Sequence, residues 1–278
     1  MTGGNILDAA GPIAAGDRQI LLNALSIMLV IVVPTIVVAL AFAWWFRASN
    51  TKAHRRPHFV YSGRIELLVW SIPLLTILFL AGVIWVGSHR LDPYRPIEST
   101  ARPLQVQVVS LDWKWLFIYP ERGIAAVNRL VLPVGVPVHF SLTSDTVMNA
   151  FFVPQLGSMV ATMYGMKTQL YLQADRAADY LGLSTQFSGD GFSDMNFTVR
   201  AVSPQSFEQW VHTAQQGGDV LDRAAYDALS RKSMRVPPFT YRGVEPGLFD
   251  ALIERDIAAG KGPHTGRGGP GVNPRPGG

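Results

Sequence analysis

Two long apolar segments occupy the first third of the chain. Residues 20–46 contain no ionisable side chain, and residues 65–86 contain only Glu66. A helix of ~20 apolar residues already crosses the ~30 Å hydrocarbon core of a bilayer. Trp44 and Trp85 lie near the ends of the two segments, where interfacial aromatic residues are enriched. The pattern predicts a transmembrane helical hairpin over residues 20–86.

The loop between the two segments predicts the orientation of the hairpin. Residues 47–64 contain no acidic residue, and their basic residues are Arg47, Lys52, Arg55, Arg56 and Arg64. Short loops rich in Lys and Arg stay on the cytoplasmic side of a membrane. We therefore expect a cytoplasmic loop, an external segment at residues 1–19, and an external position for the chain after the second helix.

Beyond residue 100 the spacing of apolar side chains changes from helical to alternating. Residues 104–115 alternate in the manner of a half-buried strand. We predict that Trp113 and Trp115 lie on one face of this strand and that Lys114 is solvated on the other. Further strand patterns follow at residues 131–142, 169–172 and 197–202. Several short strands predict an all-β sandwich or Greek-key barrel over residues 100–203.

Helical spacing returns after the predicted β domain. Ser203 is a good N-cap residue, and Pro204 suits the first helical position. Apolar residues then recur as in short amphipathic helices, so we expect a helical extension over residues 204–260. Residues 261–278 contain mainly Gly, Pro and polar residues, a composition typical of a disordered tail.

The composition excludes several kinds of site. The chain contains no cysteine, so disulfides and thiolate-bound metals are excluded. Its six histidines show no spacing that marks a ligand pair on one helix, and the residues themselves predict no metal site. The formal net charge is +4, but the basic excess lies near the apolar segments and forms no stripe on a folded domain, as nucleic-acid binding requires. We expect no nucleic-acid partner.

Glu66 is the one ionisable residue in either apolar segment. An acid at that depth is costly, which makes a functional role the default hypothesis. The alternative is that the carboxylate, in the first turn of a helix, interacts with the positive end of the helix dipole and with interfacial water.

An unusually aromatic segment contains Trp113, Trp115, Phe117 and Tyr119. These rings could form a packed core face, a platform against another subunit, or an electron path. Packing is the simplest interpretation, because aromatic side chains dominate both protein cores and interfaces.

Several motifs together resemble subunit II of haem–copper terminal oxidases, and most closely that of cytochrome bo-type ubiquinol oxidases. The resemblance extends from about Asp17 to Gly260. It depends on the spacing of Glu66, Trp70 and Pro73 and on three segments, at residues 112–121, 147–154 and 188–193. It implies a membrane hairpin of two helices, an all-β cupredoxin-like Greek-key domain, and short C-terminal helices.

The resemblance also implies that a copper site has been lost. In the cytochrome c-oxidising relatives, two Cys, two His and a Met hold a dinuclear copper centre. Here the five aligned positions are Asn149, Phe187, Gly191, Met195 and Thr198. A mixed-valence copper pair needs soft bridging thiolates. Gly189 replaces the loop acid that these relatives link to magnesium, so no metal is expected in this chain.

The remaining implications concern the complex. The resemblance implies that haems and a copper lie in subunit I, that ubiquinol is the substrate, and that cytochrome c is not a partner. It implies that Glu66 lies near a proton-pathway entrance and that Trp113, Trp115 and Tyr119 face subunit I. We expect a bacterial inner-membrane protein with both termini and the β domain in the periplasm, and no lipid anchor.

Two rival functions are open at this stage. One is a copper-bearing subunit that takes electrons from cytochrome c, against which the missing ligands argue. The other is a membrane-tethered binding or assembly module outside the respiratory chain, whose β domain engages an external partner.

Overall fold

Two long helices form the membrane part of the protein. The computed structural model describes residues 6–54 and 56–254. Helix α1 spans Pro12–Trp45 and α2 spans Gly63–Arg90, and the most apolar window of each has none of its residues buried inside the chain. Both helices are longer than the apolar segments. Helix α1 begins with a proline, and the missing N–H of proline costs nothing there because the first N–H groups of a helix have no partner within it. Their exposed apolar surface requires lipid or another subunit.

The two helices approach each other closely near the start of α1 and the end of α2. A Cβ atom on Gly16 would lie 2.8 Å from Leu91 Cδ2, and one on Gly87 would lie 2.5 Å from Ile20 Cδ1. Only glycine leaves room for these contacts. The two helices are therefore in close contact at this end of the pair.

The start of α1 is attached to the β domain. The Ala10 N–H donates to the Gln155 carbonyl at 2.8 Å, and the Ala10 carbonyl accepts from the Asp175 N–H at 2.8 Å. Arg176 forms an ion pair with Asp8 at 2.8 Å, which holds the pKa of the Asp8 carboxyl below its ordinary value. These contacts place the β domain beside the N-terminal end of α1.

A sandwich of two main sheets follows the hairpin. In chain order, strands β1 to β10 are Leu104–Leu111, Lys114–Tyr119, Ile124–Val127, Arg129–Pro133, Val138–Ser144, Asn149–Val153, Gly157–Thr162, Thr168–Leu172, Ala178–Ser184 and Asn196–Val202, and β12, in the C-terminal extension, is Phe239–Tyr241. The six-stranded sheet has the order β12-β3-β2-β1-β5-β8, and the five-stranded sheet has the order β4-β10-β9-β6-β7. Strands β1 and β5 are parallel, as are β4 and β10, so each sheet mixes hairpins with crossovers.

The C-terminal extension packs on both cores of the sandwich: its first helix joins the core between the two sheets, and its later elements cover the other face of the six-stranded sheet. Its helices are α3 (Pro204–Gln216), α4 (Arg223–Ser230) and α5 (Leu248–Ile253), and its short strands are β11 (Val220–Leu221), β12 (Phe239–Tyr241) and β13 (Gly243–Val244). Ser203 caps α3 by accepting from the Ser206 N–H. The predicted fold class is confirmed, with short strands added among the C-terminal helices. The predicted end of the last helix at Gly260 and the predicted tail lie outside the described residues.

The predicted continuous strand through residues 104–115 is wrong. Strand β1 ends at Leu111 and β2 begins at Lys114, and these two residues pair across a tight hairpin. Trp113 lies in the turn with φ +63°, a left-handed conformation found in two-residue hairpin loops. Trp113 and Trp115 therefore do not share the face of one strand.

The prediction that Lys114 is solvated is also wrong. Lys114 is 1% exposed, because β2 is covered on both faces. One face packs on the five-stranded sheet through Trp115, Phe117 and Tyr119, and the other packs on the C-terminal extension through Leu116 and Ile118.

Candidate functional site

The aligned copper positions lie around the loop that joins β9 to β10. Asn149 Oδ1 accepts a hydrogen bond from Ser184 Oγ at 3.1 Å, and the Ser184 N–H donates to the Met195 carbonyl at 3.3 Å. Ser188 Oγ lies 3.9 Å from Met195 Sδ. Asn149 and Met195 are thus linked through Ser184 at the end of β9. Thr198 lies within β10 and pairs with Leu181 of β9.

Trp113 and Met234 fill the space beside Gly191. A Cβ atom on Gly191 would lie 2.5 Å from Trp113 Cγ and 2.8 Å from Met234 Cγ. Trp113 Nε1 donates to the Ser188 carbonyl at 3.1 Å. The indole ring therefore packs on the loop in the space where a side chain at position 191 would lie.

These residues do not fit a dinuclear copper centre. The aligned side chains are an amide, a phenyl ring, a hydrogen atom, a buried thioether and a hydroxyl, and the chain offers no thiolate. Bridging thiolates are what a copper pair requires. Within residues 6–54 and 56–254 no cluster of three or more His, Cys, Asp or Glu could hold another metal.

Trp115 and Tyr119 are core residues, so the prediction that they face subunit I is wrong for both. Each is 0% exposed. The Trp115 ring lies 5.6 Å from Phe151 and 5.4 Å from Phe197. Tyr119 Oη donates to the Val131 carbonyl at 3.0 Å and accepts from the Val131 N–H at 2.9 Å, and burial raises the pKa of the Tyr119 phenol. Trp113 is half-buried, so its interface role stays a prediction.

Three exposed apolar residues at or next to the aligned copper positions were not predicted from the sequence. Val147 is 47% exposed, Met148 is 45% exposed and Phe187 is 75% exposed; we call these three residues the apolar rim. Val147 and Met148 directly precede Asn149, which bonds to Ser184, and Phe187 follows Ser184 by three residues. Uncharged apolar residues in two polar turn segments were the available signal. Contiguous exposed apolar groups mark interaction sites.

Glu66 lies far from this loop. It is exposed in the first turn of α2. The 21 residues from Glu66 to Gly87 span about 32 Å at 1.5 Å per residue, close to the ~30 Å thickness of the hydrocarbon core. Gly87 packs on Ile20 near the start of α1, which is the end that is attached to the β domain, so Glu66 lies at the end of α2 that is farther from that domain.

Comparisons with known proteins agree with this architecture. A family model described as "Cytochrome C oxidase subunit II, periplasmic domain" matches residues 104–202, and one described as "COX Aromatic Rich Motif" matches residues 215–255. Two apolar helices followed by this sandwich define the class as a membrane-anchored subunit II of bacterial oxidases. The periplasmic domain of subunit II of cytochrome oxidase from Bradyrhizobium japonicum is 21% identical, covers 43% of this chain and 98% of that chain, and has a TM-score of 0.41.

Full-length relatives narrow the assignment. The ubiquinol oxidase subunit 2 of Acetobacter aceti is 46% identical over 253 residues, which cover 90% of this chain and 82% of the relative. The cytochrome bo(3) ubiquinol oxidase subunit 2 of Pseudomonas aeruginosa is 44% identical over 250 residues, or 90% of this chain and 76% of the relative. The chain belongs to the ubiquinol oxidase subunit 2 family.

Proposed function

We propose that this chain is the copper-free subunit II of a proton-pumping quinol oxidase. In this proposal, electrons pass from quinol in the membrane to haem in subunit I, where the complex also holds its copper, and this chain carries no electron carrier. The observation that carries the proposal is made at Gly191, where Trp113 and Met234 occupy the space that a Cβ atom would need, so a cysteine side chain does not fit there. The names of the relatives point to quinol as the electron donor.

The orientation follows from the loop and the helix lengths. The basic residues of the stretch 47–64, with no acidic residue among them, lie in or directly after the segment that joins the two helices, and this supports a cytoplasmic position for that segment. The β domain and both termini then lie on the periplasmic side of a bacterial inner membrane. Glu66 lies on the cytoplasmic side, where a proton pump takes up protons.

The apolar rim, with Trp113, is the surface that docks on subunit I. Its side chains are uncharged and up to 75% exposed, and hydrophobic burial is the main driving force of most protein association. Assembly and shielding of subunit I are then the main tasks of the β domain.

Purification of the chain from its own membranes in a mild detergent tests the proposal. We expect it to co-purify with a haem-bearing subunit, and the complex to oxidise ubiquinol but not reduced cytochrome c. Oxidation of cytochrome c, together with two coppers bound to this chain, would establish the copper-bearing rival. Recovery without any haem-bearing subunit would favour the membrane-tethered module.

Glu66 is proposed to lie at the entrance of a proton pathway into subunit I. An acid in a membrane helix is a functional candidate by default, and its cytoplasmic side matches proton uptake. We expect Glu66→Ala to slow oxygen reduction several-fold with assembly intact, and Glu66→Asp to restore most of the rate. Glu98→Ala, which removes an exposed acid from the segment between α2 and β1, is the control. Unchanged turnover and pumping in Glu66→Ala would leave only the helix-dipole role.

A further inference from the structure

A short segment of the C-terminal extension lies against both the β1–β2 hairpin and the loop between β9 and β10. We call residues 231–236 the strap and residues 187–195 the loop. The loop contains two glycines, and Gly189 has φ +101°. Such a segment loses much conformational freedom when it is ordered. The chain has no cysteine to form a disulfide, and the described residues gather no metal-binding cluster.

Lys114 fastens the strap to the hairpin from inside the protein. Its Nζ donates to the Arg231 carbonyl and to Ser233 Oγ, both at 2.7 Å, and lies 3.4 Å from the Asp112 carbonyl. Three acceptors match the three N–H groups of an ammonium. Burial lowers the pKa of Lys114, while the charges of Asp112 and Asp145 oppose this shift.

Asn128 forms a second attachment point. Its Nδ2 donates to the Val236 carbonyl at 2.8 Å, and its Oδ1 accepts from the Trp115 N–H at 2.8 Å. One buried amide thus joins the strap to the backbone of β2. Buried hydrogen bonds of this kind are costly to break because each leaves an unpaired polar group.

Three residues of the strap, Lys232, Met234 and Arg235, contact the loop directly or through Trp113. Arg235 Nε donates to Asp194 Oδ2 at 2.9 Å. Met234 packs beside Gly191. The third contact passes through the hairpin, because Lys232 Nζ lies 5.9 Å above the Trp113 ring, which itself packs on the loop.

We infer that the strap holds the loop, residues 187–195, in one conformation through Trp113, Met234 and Arg235. Lys114 and Asn128 in turn hold the strap in place. This assigns a task to the central part of the segment that matches the aromatic rich motif. Through Phe187, which belongs to the loop, the strap also sets the position of the apolar rim. The inference does not depend on the identity of the partner or of the electron donor.

Hydrogen exchange, measured by mass spectrometry on the full-length chain in detergent, tests the inference. Lys114→Met keeps most of the buried stem but removes the donors to the strap, and Met234→Ala removes the contact with Gly191. We expect amides of residues 187–195 to exchange about tenfold faster in Lys114→Met, the scale of a local opening that loses ~1.4 kcal/mol of protection. Amides of β1 and β5 should exchange at their original rates.

Two matched controls isolate the strap. Lys167→Met removes an exposed lysine, and Met166→Ala truncates a methionine that is 51% exposed, against 53% for Met234. Neither control should alter exchange in the loop. Unchanged loop exchange in both strap variants would overturn the inference, and so would equal acceleration throughout the β domain, since the strap would then add only global stability. If Lys114→Met does not fold, Met234→Ala alone decides.

Discussion

Tyr119 is the sharpest test of whether the aromatic strand forms a core or an interface. The change Tyr119→Phe removes one oxygen atom and keeps the ring, which packs 6.3 Å from Phe207 and 5.3 Å from Trp210. That oxygen bonds both the N–H and the carbonyl of Val131. Since β4 is the edge of its sheet, these groups have no neighbouring strand on that side. Tyr119 therefore joins the two sheets through one hydroxyl.

The magnitude follows from the two groups left unpaired. Val131 is 1% exposed, so water does not replace the lost hydroxyl readily. Each buried polar group without a partner costs about 1–3 kcal/mol, and we expect the free energy of unfolding to fall by about 2–4 kcal/mol. With a urea dependence of about 2 kcal/mol per molar, the unfolding midpoint should fall by about 1–2 M.

Urea unfolding of the β domain in the full-length chain, followed by near-ultraviolet circular dichroism in detergent, provides the measurement. Tyr94→Phe is the matched control, because Tyr94 is 51% exposed. Its effect should stay within about 0.5 kcal/mol. The two-sheet role of Tyr119 is refuted if both variants shift the midpoint equally, or if Tyr119→Phe weakens recovery of partner subunits without changing stability.

Two further predictions concern the rim and a histidine. Phe187→Asp should reduce recovery of the haem-bearing subunit at least several-fold because it places a charge in the rim, whereas Val220→Asp, at a site 43% exposed elsewhere, should not; equal recovery would contradict docking through the rim. Burial lowers the pKa of His139 below its ordinary 6.5, and nearby Lys167 adds to this while Gln169 opposes it. The unfolded chain then binds more protons, so stability should fall as the pH drops below about 6.5, and His139→Gln should remove that part of the slope in unfolding midpoints measured from about pH 7.5 to about pH 5.5.

Some features could be predicted because they depend on local composition alone. The two spans required only uninterrupted apolar side chains, and each is confirmed as a long apolar helix. The β domain required only alternation and turn residues. The misfit to copper required only the types of donor atom, since a chain without cysteine cannot supply a bridging thiolate wherever its residues lie.

The sequence by itself thus determined which parts of the chain form long apolar helices, which form strands and which metal ligands the chain lacks. Only the tertiary structure decided what each face of a strand contacts. Strand β2 is covered by a sheet on one face and by residues more than 100 positions later on the other, so Trp115, Tyr119 and Lys114 are buried where alternation predicted a partner or solvent. The local pattern of side chains shows which segments are apolar and which metal-ligand atoms are present. The burial of a given side chain depends on packing between residues far apart in the sequence, which no local window contains.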